Sequence, residues 1–281
     1  MEKRFQIIEN NKNVTGYSNF RLPFEPKNIS LSYREQLKKN IRTLQLENNE
    51  ILRARYTTNV VDFFDIENIL FYNVGASSFK NICRHGIIME FENKKNLAYP
   101  DLNHKVEYQI VNKRQKLLVE SEQRISNFDF QIPALNTKNR VSDYWFSMHS
   151  GTISLNHHNQ NSISNFGLYI ELETSKINFN IVGIMKSLVD GIISGYHIEN
   201  NSDTIAEERI SNMLDIEKKK ITTLLLNADY GVLGKRNLVS SYRNSVKWNP
   251  ADDKCIELII IPKINSSIKN VRIKGFLYEL S

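Results

Sequence analysis

The sequence predicts an α+β protein, a mixed or mostly antiparallel sheet with helices packed on one side. Short segments rich in β-branched and aromatic residues recur through the middle of the chain. Sustained helical periodicity gathers between residues 181 and 226, and two further apolar runs close the chain as strands. At 281 residues, 41% hydrophobic and 24% charged, the chain can bury one sizeable core or two modest ones, which excludes wholesale disorder.

From the start, Phe5-Gln-Ile-Ile and Asn28-Ile-Ser-Leu-Ser have the composition of short strands. A helix is predicted from the capping box Ser32-x-x-Glu35, with Tyr33, Leu37, Ile41 and Leu44 on its apolar face and Lys38, Lys39 and Arg42 on the other. The aromatic stretch 59–75 leads to a short Ser-capped helix at 77–86, with Phe79, Ile82 and Cys83 as its stripe and Gly86 at the left-handed C-terminal position. Strands are predicted at 87–92, 106–111, 124–132, 144–148 and 166–173.

Residues 151–165, with His157 and His158, make a polar loop that divides a basic, β-rich part (1–155) from a strand, helical region and C-terminal strands (156–281) that can also continue as one domain. Ile181, Ile184, Met185, Leu188, Val189, Ile192 and Ile193 mark a buried helix, and Thr204-x-x-Glu207 opens another. A third runs from 216 to 226 after a break at Leu214-Asp215, and strands follow at 255–262 and 271–278.

Lys and Arg number 37 against 31 acids, a net charge of +6, and most of the excess lies in the first sixty residues. That balance favours an anionic partner, DNA or RNA, with Lys38, Lys39 and Arg42 as phosphate-tracking residues. The first ten residues lack the apolar core of a secretory signal and no stretch is long and apolar enough to span a bilayer, so a cytoplasmic protein is expected. Cys83 and Cys255 sit in apolar patterns and read as buried free thiols. The abundance of Asn, Lys and Ile points to an AT-rich genome, as in a low-GC bacterium or its phage.

Chemistry is most readily built where carboxylates crowd beside apolar runs, because held together they repel until a cation or a proton intervenes. Two such clusters occur, Asp62-Phe-Phe-Asp65-Ile-Glu67-Asn68 and Asp252-Asp253-Lys254-Cys255-Ile-Glu257. Asp65, Glu67, Asp252 and Asp253 are thereby candidate ligands for Mg²⁺. In an otherwise apolar helix, Lys186 and Asp190 stand at i and i+4 on one face, where they must pair or face a site.

Lys186-x-x-x-Asp190 followed by Asp252-Asp253 and an apolar strand ending at Lys263 resembles RusA-type Holliday-junction resolvases. The resemblance implies a Mg²⁺-dependent endonuclease in which Asp190 and Asp252 or Asp253 bind the ion and Lys186 assists cleavage. That family carries Asp-x-Asp-Asn just before the lysine, whereas Asn180 and Val182 occupy those places here, and about sixty residues replace a short connection before Asp252. Asp65-Ile-Glu67-Asn68 has the composition of the missing motif and can replace it only if the fold brings it back.

Residues 204–225 also suit a helix-turn-helix, with Lys218, Lys219 and Lys220 opening the second helix. A second reading makes the chain a non-catalytic subunit of a multiprotein assembly, for example in defence, or a homo-oligomer, with structural acidic clusters. No P-loop, Gly-x-Ser-x-Gly elbow or Cys-x-x-Cys pair occurs, which disfavours ATPase, serine hydrolase and zinc-ribbon readings.

Overall fold

The computed structural model describes residues 4–60, 65–95, 97–99, 101–113, 124–156, 163–175 and 180–280. Asp62, His157 and His158 lie outside them. The strands are β1 (Phe5–Asn10), β2 (Asn13–Ser18), β3 (Glu50–Thr58), β4 (Ile87–Asn93), β5 (His104–Asn112), β6 (Arg124–Ile132), β7 (Thr152–Leu155), β8 (Asn165–Thr174), β9 (Ile198–Glu199), β10 (Lys235–Arg236), β11 (Val239–Tyr242), β12 (Ser245–Trp248), β13 (Cys255–Ile264) and β14 (Val271–Leu280). The helices are α1 (Ile29–Ile41), α2 (Val141–His149), α3 (Ile181–Ser194), α4 (Thr204–Leu214) and α5 (Lys218–Leu225).

Ten strands form one sheet in the order β1-β2-β5-β3-β4-β13-β8-β14-β6-β7. Pairing is antiparallel except at β3–β4 and β13–β8. The fold is α+β as predicted, and strands from both sides of residue 155 interleave in this one sheet.

Alternation sorts each strand into two faces. On β8, Phe166, Leu168, Ile170 and Leu172 join the main core with Tyr33 and Leu37 of α1, Tyr144 of α2 and Leu188 of α3, so these helices cover one face. The other carries a small cluster of Ile51, Ile88, Ile259 and Ile261. A separate core of Trp145, Ala206, Ile210, Ile221, Leu225, Leu238 and Val239 holds α4, α5 and the β11–β12 hairpin together.

Several local expectations change. Asn28-Ile-Ser-Leu-Ser is no strand: Asn28 turns at φ 51° and α1 begins at Ile29, ahead of the predicted cap. Residues 144–148 are helical because Val141, Tyr144, Trp145 and Met148 follow a 3.6-residue repeat and Asp143 accepts the Arg140 N–H at 2.7 Å. The predicted helix at 77–86 shrinks to a 3-10 turn, Ala76–Phe79, although Gly86 does take a positive φ of 122°. Asp203 rather than Thr204 caps α4, accepting the Ile205 and Ala206 N–H groups. Asp215, left-handed at φ 55°, makes the break before α5. Cys83 and Cys255 are buried free thiols. No helix among the described residues is long and apolar enough to cross a membrane.

Candidate metal centre

Three distant pieces of chain meet at Lys186. Asp65 and Glu67 enter a helical turn that continues as a single π-helical turn, Asn68–Tyr72, pinned by buried Ile66, Ile69, Leu70 and Phe71. Lys186 and Asp190 project from α3, which Gly191 lets approach α2 closely, since a Cβ there would meet Tyr144 Cβ at 2.5 Å. Asp252 comes from a 3-10 turn, Asp252–Lys254, that leads into β13.

The Lys186 ammonium donates to Asp65 Oδ2 at 2.9 Å, Glu67 Oε1 at 2.9 Å and Asp252 Oδ2 at 2.5 Å. An ammonium has three N–H donors, and these three acceptors use them all. Asp190 Oδ1 lies 3.0 Å from the same nitrogen as a fourth ion-pair partner. One cation thus faces four carboxylates, with the Lys186 side chain 31% exposed and that of Glu67 only 2%.

The electrostatics follow. Burial pushes the Asp190 carboxyl well above the usual range, with Glu67 and Asp252 adding repulsion that Lys186 only partly offsets. Burial also raises Asp65, again against the pull of Lys186. For Lys186 burial disfavours the ammonium, but the four carboxylates outweigh it and drive its pKa up.

Tyr72 fixes the backbone beneath the cluster. Its hydroxyl donates to the Val182 carbonyl at 2.8 Å and accepts the Lys186 N–H at 3.1 Å, which ties it to both groups at the start of α3. Burial pushes this phenol up to about 12. His197 holds the other side: its Nε2 accepts the Ala251 N–H at 3.2 Å while Nδ1 lies 3.1 Å from the Gly234 carbonyl, which defines the tautomer. Neither Tyr72 nor His197 stands out in the sequence, because each acts through backbone contacts across long separations.

One carboxylate oxygen from each of Asp65, Glu67 and Asp252 lies within 4.8 Å of the other two. An octahedral ion with bonds of about 2.1 Å needs ligand oxygens roughly 3.0 Å apart when adjacent and 4.2 Å when opposite. A small contraction meets that requirement, and an all-carboxylate set suits a hard cation rather than zinc or copper.

The other sequence-selected residues lie elsewhere. Asp253 follows Asp252 but is no part of the cluster; its N–H caps Asp252 Oδ1 at 3.1 Å. Lys38 pairs with Glu35 at 2.8 Å and lies against Gly75, while Lys39 and Arg42 are exposed. Helix α1 that carries them packs on β1 and β2 at one edge of the sheet. Comparison with protein-family models, curated proteins and solved structures yields no match to this chain.

Proposed function

We propose that this protein is a divalent-cation-dependent phosphodiesterase acting on nucleic acid, with Mg²⁺ as its physiological ion. One observation carries the reading: Asp65 and Glu67 reach a lysine 121 and 119 residues away, and Asp252 reaches it from 66 residues on the other side. The Asp-x-Glu-Asn segment thus lies beside Lys186, which supports reading it as a counterpart of the acidic motif that the resolvase-type signature carries before its lysine. A structural salt bridge needs one carboxylate per ammonium; gathering four around one leaves more carboxylates than a single ammonium can balance, and a further cation or bound protons must supply the rest.

In this reading Asp65, Glu67 and Asp252 hold the ion, which when bound polarises a phosphoryl oxygen and lowers the pKa of a bound water. Asp190, 3.0 Å from the Lys186 ammonium, orients or deprotonates the attacking water. Lys186 yields its carboxylates on loading and turns its ammonium to the charge that develops on the phosphate. Tyr72 keeps Lys186 and the Asp65–Glu67 turn in register.

The test is cleavage of labelled duplex, branched and single-stranded DNA and of RNA with Mg²⁺, Mn²⁺ or EDTA. Metal-dependent cleavage that falls at least a hundredfold in Asp252→Asn and Glu67→Gln, both still folded, is the expected result. Folded protein that cleaves none of these with either metal would overturn the reading.

A further inference from the structure

Between α3 and Asp252, α4, α5 and the β11–β12 hairpin gather with Trp145 of α2 on a second core, while Tyr196 and Ala251 belong to the main one. The last part of this segment, residues 235–251, contains Lys235, Arg236, Arg243 and Lys247 and no acidic residue, then runs directly into Asp252. Among the described residues none of these four cations is held in a salt bridge. By contrast Glu199, Asp203 and Glu207, the acids that brace this segment, are occupied: Glu199 takes the Val239 N–H, Asp203 the Ser241 N–H and Glu207 the Ser202 and Thr222 hydroxyls.

The hairpin tip is unusual in two ways. Tyr242 is 51% exposed, and Arg243 lies beside its ring with the guanidinium carbon 5.2 Å from the centroid. Arg243 also adopts φ 48°, a left-handed turn position that Asn or Gly fills at lower cost. An arginine there costs local stability and leaves its charge exposed.

The hairpin is also anchored to the acid cluster. Trp248 packs on Trp145 of α2 with ring centroids 5.5 Å apart, Asn249 N–H bonds the Leu238 carbonyl, and the Ala251 N–H is held by His197. Asp252 follows Arg243 by nine positions, at most about 30 Å of extended chain, which is within one turn of a DNA duplex.

We propose that the β11–β12 hairpin is a ribbon that binds double-stranded DNA, with Arg243 and Lys247 on the phosphate backbone, and seats the duplex against the acid cluster. The proposal rests on the phosphodiesterase reading and adds the surface and form of its substrate. A two-stranded ribbon fits the major groove of B-form DNA, about 12 Å wide, whereas the narrow major groove of duplex RNA excludes it.

The experiment measures anisotropy of labelled duplex DNA, duplex RNA and single-stranded DNA across a salt series, with Ca²⁺ in place of Mg²⁺. Arg243→Asn combined with Lys247→Gln should weaken duplex DNA binding about tenfold and lower the salt slope by about 2, one unit per lost phosphate contact. Arg243→Asn relieves the left-handed arginine, so its melting temperature should hold or rise, which separates lost binding from lost folding.

If the double variant binds as wild type does, the hairpin assignment is wrong and the metal-site reading stands. A wild type that cleaves with metal but prefers duplex RNA or single strands also overturns it. A wild type that neither binds nor cleaves nucleic acid overturns both.

Discussion

Replacing Lys186 with Met probes the charge balance of the cluster directly, because it removes the one cation the four carboxylates share and keeps most of the side-chain volume. Breaking a buried ion pair by deleting one partner costs about 3–5 kcal/mol. Here the ammonium is 31% exposed and Asp65 and Asp190 already favour protonation, so both solvent and proton uptake soften the loss. The expected destabilisation in EDTA is about 2–4 kcal/mol, a fall of roughly 5–15 °C in melting temperature. Vacating the lysine position should also tighten divalent-ion binding, and Mg²⁺ at a hundred times its dissociation constant returns about 2.7 kcal/mol. Thermal melts in EDTA, in Mg²⁺ and in KCl of equal ionic strength read all of this. The variant should recover more with Mg²⁺ than wild type does, and more than KCl restores by screening. Equal melting temperatures in EDTA and Mg²⁺, or recovery by KCl alone, would refute the argument.

Asp190→Asn removes a carboxylate that burial already disfavours as an anion, so urea unfolding without metal should show stability unchanged or raised by up to about 1 kcal/mol while cleavage is lost; marked destabilisation would make Asp190 a structural partner of Lys186. Tyr72→Phe deletes the bridge between Val182 and Lys186 and should cost about 1–2 kcal/mol and weaken metal binding severalfold by calorimetry, whereas unchanged affinity would separate that bridge from the site. Burial pushes His149 and His197 down to about 4, so the unfolded chain, near 6.5 for each, binds more protons between those values. Their contribution is full above about pH 6.5 and is lost as pH falls toward 4, by up to about 1.4 kcal/mol per pH unit per group. Both ring nitrogens of His149 are buried without a hydrogen-bond partner among the described residues, so His149→Phe should flatten the pH dependence of the urea midpoint by about one proton; an unaltered slope would contradict its neutral burial.

Seven strands of the large sheet and the helix bearing Lys186 were legible because alternation and 3.6-residue periodicity record which side of each element meets the core; β2, β3 and β7 were not, and β7 lies at Thr152–Leu155 inside the stretch read as a polar loop. Residues 144–148 misled because four aromatic or apolar residues out of five fit either element over so short a span, and packing against Gly191 decides for helix. The β11–β12 hairpin left little trace: its strands are four residues each and its tip carries Arg243-Asn244 in place of a Gly-containing turn. Each residue of the acid cluster could be named from its apolar surroundings, since carboxylates are costly there. Their meeting could not, because it depends on β13 lying between β4 and β8 and on α3 lying beside the Asp65–Glu67 turn. Nothing in the pattern ranked Asp252 above Asp253 either; the 3-10 turn before β13 makes that choice.

The central claim, that Asp65, Glu67 and Asp252 form a divalent-cation site which Lys186 holds in balance, is tested most directly by anomalous diffraction from crystals soaked in Mn²⁺. The account predicts an anomalous peak bounded by those three carboxylates at about 2.0–2.4 Å, with the Lys186 ammonium displaced from its place among them. Crystals saturated with Mn²⁺ that show no peak there, with Lys186 still donating to Asp65, Glu67 and Asp252, would contradict it.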